Sequence, residues 1–145
     1  EATSTAKLHA EGRIWHRMGD LGYLDNEKRL WFCGRLAERV LTPDGPLHTD
    51  CCEAIFNQHP QVFRSALIGL GTPGNQTPAI VVEPEPGLFP KTPADQEAFR
   101  HELRTLAQSS PATRTIHEFF FHPAFPVDVR HNAKIHRLTL AEQFA

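Results

Sequence analysis

The sequence lacks a marked excess of either charge and any long apolar run. Fifteen Lys and Arg face 17 Asp and Glu, a formal net charge of -2, so nothing electrostatic favours nucleic acid or an anionic membrane as partner. No apolar run approaches the roughly 18 residues that a transmembrane segment needs, and the polar first residues are unlike a signal peptide. These absences favour a soluble protein without a transmembrane segment.

Cysteine is scarce and histidine is scattered. Three cysteines cannot form an even disulfide framework, and Cys51 and Cys52 are adjacent while Cys33 is distant, so there is no C-x-x-C pair. A cytoplasmic location is the simpler expectation. The nine histidines show neither H-x-x-x-H spacing nor a tight Cys/His cluster. We therefore expect no metal site formed by this chain.

The chain has the size of one ordinary domain. Its 145 residues, 40% of them hydrophobic, suffice for a real core. The sequence begins at Glu1 rather than Met, and we expect it to be a fragment of a longer protein.

The most informative stretch runs from Trp15 to Val40. Apolar residues alternate with period two in 21–23 and 30–32 around the polar connection 26–29, which predicts a β-hairpin. Gly19 and Gly22 flank Asp20 and leave the backbone open to a ligand. The carboxylate of Asp20 and the guanidinium of Arg35 could both hydrogen-bond a polyhydroxyl or phosphate-bearing ligand. An ordinary surface hairpin remains the alternative, because a lone G-D-x-G is a weak signal.

Residues 18–25 and 30–35 together resemble the signature TGDLGY.D..G.L.F.GR, with its internal spacing. That signature belongs to the adenylate-forming superfamily, which includes acyl-CoA synthetases, luciferases and peptide-synthetase adenylation domains. The resemblance implies that Asp20 binds the ribose hydroxyls of ATP. It also implies that Arg35 lies at the junction of a large and a small domain and helps to hold the nucleotide.

The chain therefore divides, in this interpretation, into two parts. Residues 1–35 are the tail of a large N-terminal domain, beginning with a polar lead-in over 1–13, and residues 36–145 are a C-terminal lid domain. The missing N-terminal adenylation domain is then the principal partner. Position 37, where the family usually has the Asp or Lys of the hinge, is Ala37 here.

The rest of the sequence predicts an α+β fold, a small mixed sheet with flanking helices preceded by the hairpin. The predicted elements are a turn at 42–46, a helix over 51–58 with Thr49 or Asp50 as N-cap, strands over 62–70 and 78–83, a helix over 92–108, a strand over 116–122, an irregular basic loop over 127–133 and a short last helix. This order resembles the superfamily's lid domain. The run 49–69 also resembles its E-I-E-x-x-L-x-x-H-P-x-V motif.

Residues 132–137, Asn-Ala-Lys-Ile-His-Arg, resemble the superfamily's C-terminal S-G-K-I-x-R motif. The resemblance implies that Lys134 enters the active site during adenylation. Attack of a carboxylate on the α-phosphate builds negative charge on phosphoryl oxygens, and an ammonium on a flexible stem can follow that charge. Without the upstream motifs, an exposed lysine in a basic loop would be the better interpretation.

The resemblance implies a two-stage reaction in the whole enzyme. ATP, Mg²⁺ and a carboxylic acid give an acyl-adenylate, and the lid then rotates for the second step. Two prolines and no lysine stand in 41–46, where the family borders its pantetheine tunnel, so a role for CoA is uncertain. The run 125–135 is similar to the β-lactone synthetases of bacterial olefin biosynthesis, which adenylate a 2-alkyl-3-hydroxy fatty acid.

Two other possibilities remain open at this point. The whole enzyme could be a fatty acyl-CoA ligase, or the chain could be a free-standing binding or regulatory module that shares the lid fold. As a fragment, the chain lacks the phosphate-binding loop and the acyl pocket. We expect it to be inactive alone and to bind no cofactor tightly.

Overall fold

A computed structural model describes residues 7–128 and 134–145. Its strands are β1 (Lys7–Ala10), β2 (Arg13–His16), β3 (Asp20–Leu24), β4 (Leu30–Arg35), β5 (Val40–Thr42), β6 (Gly45–Leu47), β7 (Val62–Leu70), β8 (Thr77–Pro84), β9 (Glu118–Phe121), β10 (Val127–Asp128) and β11 (Lys134–Ile135). The helices are α1 (Thr49–Phe56), α2 (Pro93–Ala107) and α3 (Arg137–Phe144), and a 3-10 turn covers Leu36–Glu38. This α+β arrangement confirms the predicted fold class.

The central sheet has three strands in the order β7-β8-β9 and is mixed, as the sequence predicted. Strand β7 runs antiparallel to β8, with Leu67 opposite Ile80, while β9 runs parallel to β8, with Phe119 opposite Ile80. A parallel neighbour requires a crossover connection, and helix α2 supplies it between β8 and β9.

The sheet is covered on both faces. On one face, α1 and α2 pack in a cluster that includes Phe56, Leu67 and Leu103. On the other face, α3 packs through Leu140 on a cluster that includes Ile68. Burial of both faces explains why β7 and β8 are almost continuously apolar rather than alternating.

The starts of helices α2 and α1 differ in how well the sequence predicted them. At α2, Thr92 and Asp95 form a reciprocal capping box with Pro93 in the first turn, so the predicted start is confirmed. At α1, the predicted N-cap was wrong, because His48 is the N-cap and makes no side-chain cap bond. Thr49 is already helical there and lies buried against strand β4.

Two stretches predicted without regular structure contain short strands. Within the lead-in over 1–13, for which no strand was predicted, β1 and the start of β2 form a hairpin around Glu11 and Gly12, both with positive φ. The basic loop over 127–133 begins with β10, which pairs with β11 beyond it. The remainder of that loop, 129–133, lies outside the described residues.

Among the described residues, the β1–β2 and β3–β4 hairpins carry most of the large exposed apolar side chains. Within β3–β4, Tyr23 stacks on Trp31 with ring centroids 6.5 Å apart, and both are about half exposed. The exposed members of this surface are Leu8, Ile14, Trp15, Met18, Tyr23, Leu24, Leu30, Trp31, Phe32 and Leu36. We call them the hairpin apolar surface. A concentration of this kind is typical of an interface.

Within the described ranges, 7–128 and 134–145, no helix is long and apolar enough to cross a membrane. In the same part of the chain, no cluster of three or more His, Cys, Asp or Glu side chains has the arrangement of a metal site.

Candidate functional site

Asp20 and Arg35 lie opposite each other in the β3–β4 ladder. Nη1 of Arg35 is 2.9 Å from Oδ1 of Asp20 and donates a 3.0 Å hydrogen bond to the carbonyl of Met18. Both side chains remain accessible, 31% and 46% exposed. The structure thus brings the two sequence-predicted residues together as a carboxylate and a guanidinium on one edge of the hairpin.

The two glycines beside Asp20 serve different purposes. Gly19 has φ of +75°, and its carbonyl accepts a 2.8 Å hydrogen bond from Leu36 N, which ties the hairpin to the turn after it. A Cβ on Gly22 would lie 2.7 Å from the carbonyl oxygen of Trp31. Gly22 is therefore required by the close approach of the two strands at the β-bulge, in addition to any room it leaves for a ligand.

An open groove adjoins Asp20, with Met18, Leu30 and Phe32 among its walls. Its lining is predominantly apolar, while Asp20 contributes the carboxylate at its edge. Such a combination suits a ligand that has a flat or apolar portion beside hydroxyl groups.

Asp25, which the sequence analysis did not single out, fixes the turn of this hairpin. Its carboxylate accepts hydrogen bonds from the backbone of Glu27 and Arg29, from Nε of Arg29 at 2.7 Å and from Nε1 of Trp31 at 2.8 Å. The bonds from Trp31 and Arg29 lower the pKa of Asp25 to about 2. The detectable signal was an aspartate at the start of a polar turn.

Ala37 is the central residue of the 3-10 turn and is exposed. Backbone angles are extended on both sides, at Arg35 and at Arg39. The turn therefore joins the β3–β4 hairpin to the β5–β6 hairpin through a short segment whose middle residue carries no large side chain, a geometry compatible with a pivot.

Lys134 pairs with Asp128 in the β10–β11 ladder, and its side chain is exposed. It shares an open groove with Glu38, His136 and Arg137. Among the described residues, no hydrogen bond or ion pair joins Lys134 to the Asp20–Arg35 pair. The residues 132 and 133 of its motif lie outside the described part of the chain.

Arg137, the last residue of that motif, binds two carboxylates. Nε and Nη2 donate to the two oxygens of Glu53 at 2.8 and 2.6 Å, and Nη1 donates to Glu38 at 2.8 Å. Glu53 also accepts the backbone N–H of Leu67 at 2.8 Å. We call the three side chains Glu38, Glu53 and Arg137 the carboxylate clamp. Sequence analysis missed it, because its members are separated by up to 99 residues.

Burial and charge act in opposite directions within the carboxylate clamp. Burial raises the pKa of the Glu53 carboxyl, and the guanidinium of Arg137 opposes that rise. Burial alone would lower the pKa of Arg137, but the hydrogen bonds and charge of the carboxylates hold it above its ordinary value. Arg137 is thus a permanent cation inside the protein.

Comparison with known proteins gives relatives over nearly the whole chain. An olefin beta-lactone synthetase of Xanthomonas campestris pv. campestris is 50% identical, and one of Stenotrophomonas maltophilia is 45% identical; each alignment covers 97% of this chain and 26% of the relative. A 4-chlorobenzoate–CoA ligase of an Arthrobacter species is 35% identical over 74 residues, which are 50% of this chain and 14% of the relative. No family model matches the chain.

Solved structures show the same fold. The amide bond synthetase McbA from Marinactinospora thermotolerans superposes with a TM-score of 0.76 at 20% identity, over 99% of this chain and 27% of that one. The o-succinylbenzoate CoA synthetase MenE from Bacillus subtilis, with its acyl-adenylate intermediate, gives 0.72 at 22% identity, over 94% of this chain and 25% of that one.

The fold and the three motif blocks therefore define the class: the chain belongs to the adenylate-forming superfamily. More particularly, its homologues over nearly its whole length are olefin beta-lactone synthetases. The chain spans about a quarter of the length of these relatives.

Proposed function

We propose that this chain is the C-terminal lid segment, with its hinge-side hairpins, of an ATP-dependent, AMP-forming synthetase. The whole enzyme activates a long-chain 2-alkyl-3-hydroxy fatty acid and closes it to a β-lactone in the cytoplasm. The observation that carries this proposal is the 50% identity to an olefin beta-lactone synthetase over 97% of the chain. At that identity and coverage, a common reaction is the simplest inference.

The reaction would proceed in two balanced steps. A carboxylate oxygen of the substrate attacks the α-phosphorus of ATP, and the bond to pyrophosphate breaks, leaving an acyl-adenylate. The substrate's own 3-hydroxyl oxygen then attacks the acyl carbon, AMP leaves, and the hydroxyl proton is released. Because the second nucleophile is intramolecular, no further acceptor is required.

Each site residue has a role in this scheme. Asp20 accepts hydrogen bonds from the ribose hydroxyls, for which its accessible carboxylate on the edge of a groove is suited. Arg35 keeps Asp20 in place and faces the nucleotide. Lys134 neutralises charge on the α-phosphate, and Ala37 is the pivot about which the lid turns. Mg²⁺, when bound with ATP, neutralises phosphate charge.

The hairpin apolar surface supports a division at residue 35. Residues such as Trp15, Met18 and Trp31 are each about half exposed or more, and they lie before residue 36. An N-terminal adenylation domain preceding the chain would cover them. Nine of the ten side chains of this surface lie before residue 36, and Leu36 is the tenth. This distribution supports residues 1–35 as the tail of that domain and 36–145 as the lid, and the chain alone is expected to be inactive.

A second candidate is an acyl-CoA ligase, favoured by the 35% identity to a 4-chlorobenzoate–CoA ligase over half of the chain. The two candidates differ in the second step. The ligase transfers the acyl group to a CoA thiol, while the lactone synthetase needs no thiol.

The test measures pyrophosphate and AMP release by the whole synthetase with a 2-alkyl-3-hydroxy acid, with and without CoA. We expect Lys134→Ala to slow pyrophosphate release at least about 100-fold, with Lys91→Ala, another exposed lysine, as a control that retains activity. AMP release without CoA supports the lactone reaction, and release that waits for CoA supports the ligase. Unchanged pyrophosphate release in Lys134→Ala would refute the assignment of Lys134.

A further inference from the structure

The carboxylate clamp connects three segments that are distant in sequence. Glu38 is the last residue of the 3-10 turn, Glu53 lies on α1, and Arg137 begins α3. All three side chains are largely shielded, with exposed fractions of 14%, 8% and 14%. Bidentate pairing with Glu53 fixes the plane of the guanidinium, so its remaining nitrogen can reach Glu38 in only one orientation.

The position of Arg137 is not explained by helix stability. A positive charge in the first turn of a helix is opposed by the helix dipole, and α3 has no side-chain cap at its N-terminal residue. The ion pairs therefore hold Arg137 where the helix itself would disfavour it. That arrangement indicates a role in joining α3 to the other two segments.

Two short connections link the clamp to the candidate site. Glu38 directly follows Ala37, and Lys134 precedes Arg137 by three residues, a span of at most about 11 Å even when extended. Between Lys134 and Arg137, His136 N donates a 2.9 Å hydrogen bond to the carbonyl of Pro126. This bond restrains the segment that joins the two residues. The position of Lys134 is thus restrained by Arg137 and, through the ion pair of Arg137, by Glu38.

We propose that Glu38 and Arg137 are positioning residues for Lys134. Because the clamp binds Glu38 to the lid, any rotation of the lid is confined to backbone at or before Ala37. The clamp also couples that rotation to Lys134, so that Lys134 moves together with the lid. This inference rests on the function proposed above. Ala37, at the hinge position, carries no charge, and the proposal assigns the ion pair beside the hinge to the next residue, Glu38.

The decisive variants change Glu38 in the whole synthetase. Glu38→Ala removes one contact of Arg137 but leaves its bidentate pair with Glu53, so the buried cation keeps a partner. Glu38→Gln keeps an oxygen that can accept the same hydrogen bond and should retain most of the wild-type activity. Glu97→Ala is the matched control, because Glu97 also forms a short ion pair with an arginine, 2.6 Å to Arg104 against 2.8 Å between Glu38 and Arg137, but on the exposed face of α2.

We expect Glu38→Ala to lower kcat for pyrophosphate release about tenfold while KM for ATP changes less than about twofold, with Glu38→Gln within about threefold of wild type. In a Lys134→Ala background, Glu38→Ala should cause no further loss, since both changes remove the same interaction. A role in overall stability alone would instead lower both backgrounds by the same factor, and that additive result would overturn the proposal.

Amide hydrogen exchange decides the mechanical part independently of catalysis. Glu38→Ala should accelerate exchange in segments 36–40 and 134–140 together, while α2 is unchanged and Glu97→Ala leaves both segments at wild-type rates. Unchanged exchange at 134–140 would overturn the coupling. If Lys134→Ala left pyrophosphate release intact, the catalytic role proposed for Lys134 would fail, while the exchange result would still show whether the clamp joins the hinge turn to the segment around Lys134.

Discussion

Replacing Gly34 by alanine tests the contact between strand β4 and helix α1, where the hairpin meets the proposed lid. Gly34 has φ of +118°. A Cβ there would collide with Oγ1 of Thr49 and lie 2.9 Å from Oδ2 of Asp50. Gly34→Ala therefore combines two costs, an unfavourable backbone conformation and an overlap with the first turn of α1.

Gly45 provides a matched control because it separates these costs. Its φ of +124° is nearly the same, but a Cβ on Gly45 would meet nothing within 4 Å. We expect Gly45→Ala to lower the free energy of unfolding by about 1–3 kcal/mol from backbone strain. Gly34→Ala should lower it by about 1–3 kcal/mol more, because overpacking of a tight contact adds a cost of that size.

Urea denaturation of the two variants, followed by far-UV circular dichroism, measures the difference. The slopes of free energy against urea must agree with wild type for the comparison to hold. Equal losses in Gly34→Ala and Gly45→Ala would show that β4 and α1 do not press on each other in solution. That outcome would refute the packing of the β3–β4 hairpin on α1.

Two further predictions follow from the pKa shifts. Hydrogen bonds lower the pKa of Asp25 from 3.8 to about 2. The stabilisation of the turn by this carboxylate is therefore complete above about pH 4 and is lost as the pH falls through about 2. The NMR signal of the Trp31 indole N–H should titrate with that midpoint, and a midpoint near 4 would contradict the hydrogen bonds. Burial raises the pKa of Cys52 from 9.0 to about 12. At pH 8, alkylation of Cys52 in the folded chain should therefore be at least about 1000-fold slower than that of a free cysteine. Labelling at the rate of the urea-unfolded chain would show that the thiol is not buried.

The sequence predicted best those elements whose signal is local. The strand over 62–70 matches β7, and the helix predicted over 92–108 is present as α2, with Thr92 as its N-cap. These predictions succeed because apolar runs and capping residues act over a few positions. The hairpin of β1 and β2 was missed, because its side chains are largely exposed and leave no alternating apolar pattern.

Only those residues of the candidate site that belong to contiguous sequence motifs could be predicted from the sequence. Asp20, Arg35 and Lys134 follow from such motifs, but their mutual arrangement does not. The pairing of Arg137 with Glu53 joins residues 84 positions apart, and no periodicity reports a contact of that kind. Long-range ion pairs depend on how α1 and α3 dock on the sheet, and the sequence pattern does not fix that docking.

The β5–β6 hairpin bears on the choice between a lactone synthetase and a CoA ligase. Its Leu41 N donates a 2.7 Å hydrogen bond to the side chain of Gln76, and Leu41 O accepts from the backbone N–H groups of Gly74 and Gln76 at 3.0 Å each. This hairpin contains two prolines, at 43 and 46, and the resemblance to the superfamily implies that it lies where the pantetheine tunnel would be bordered. A segment fastened to the β7–β8 turn by three hydrogen bonds and stiffened by proline is poorly suited to adapt around a long flexible thiol. An intramolecular hydroxyl needs no such passage, and the fastening of this hairpin therefore supports the lactone reaction that we propose.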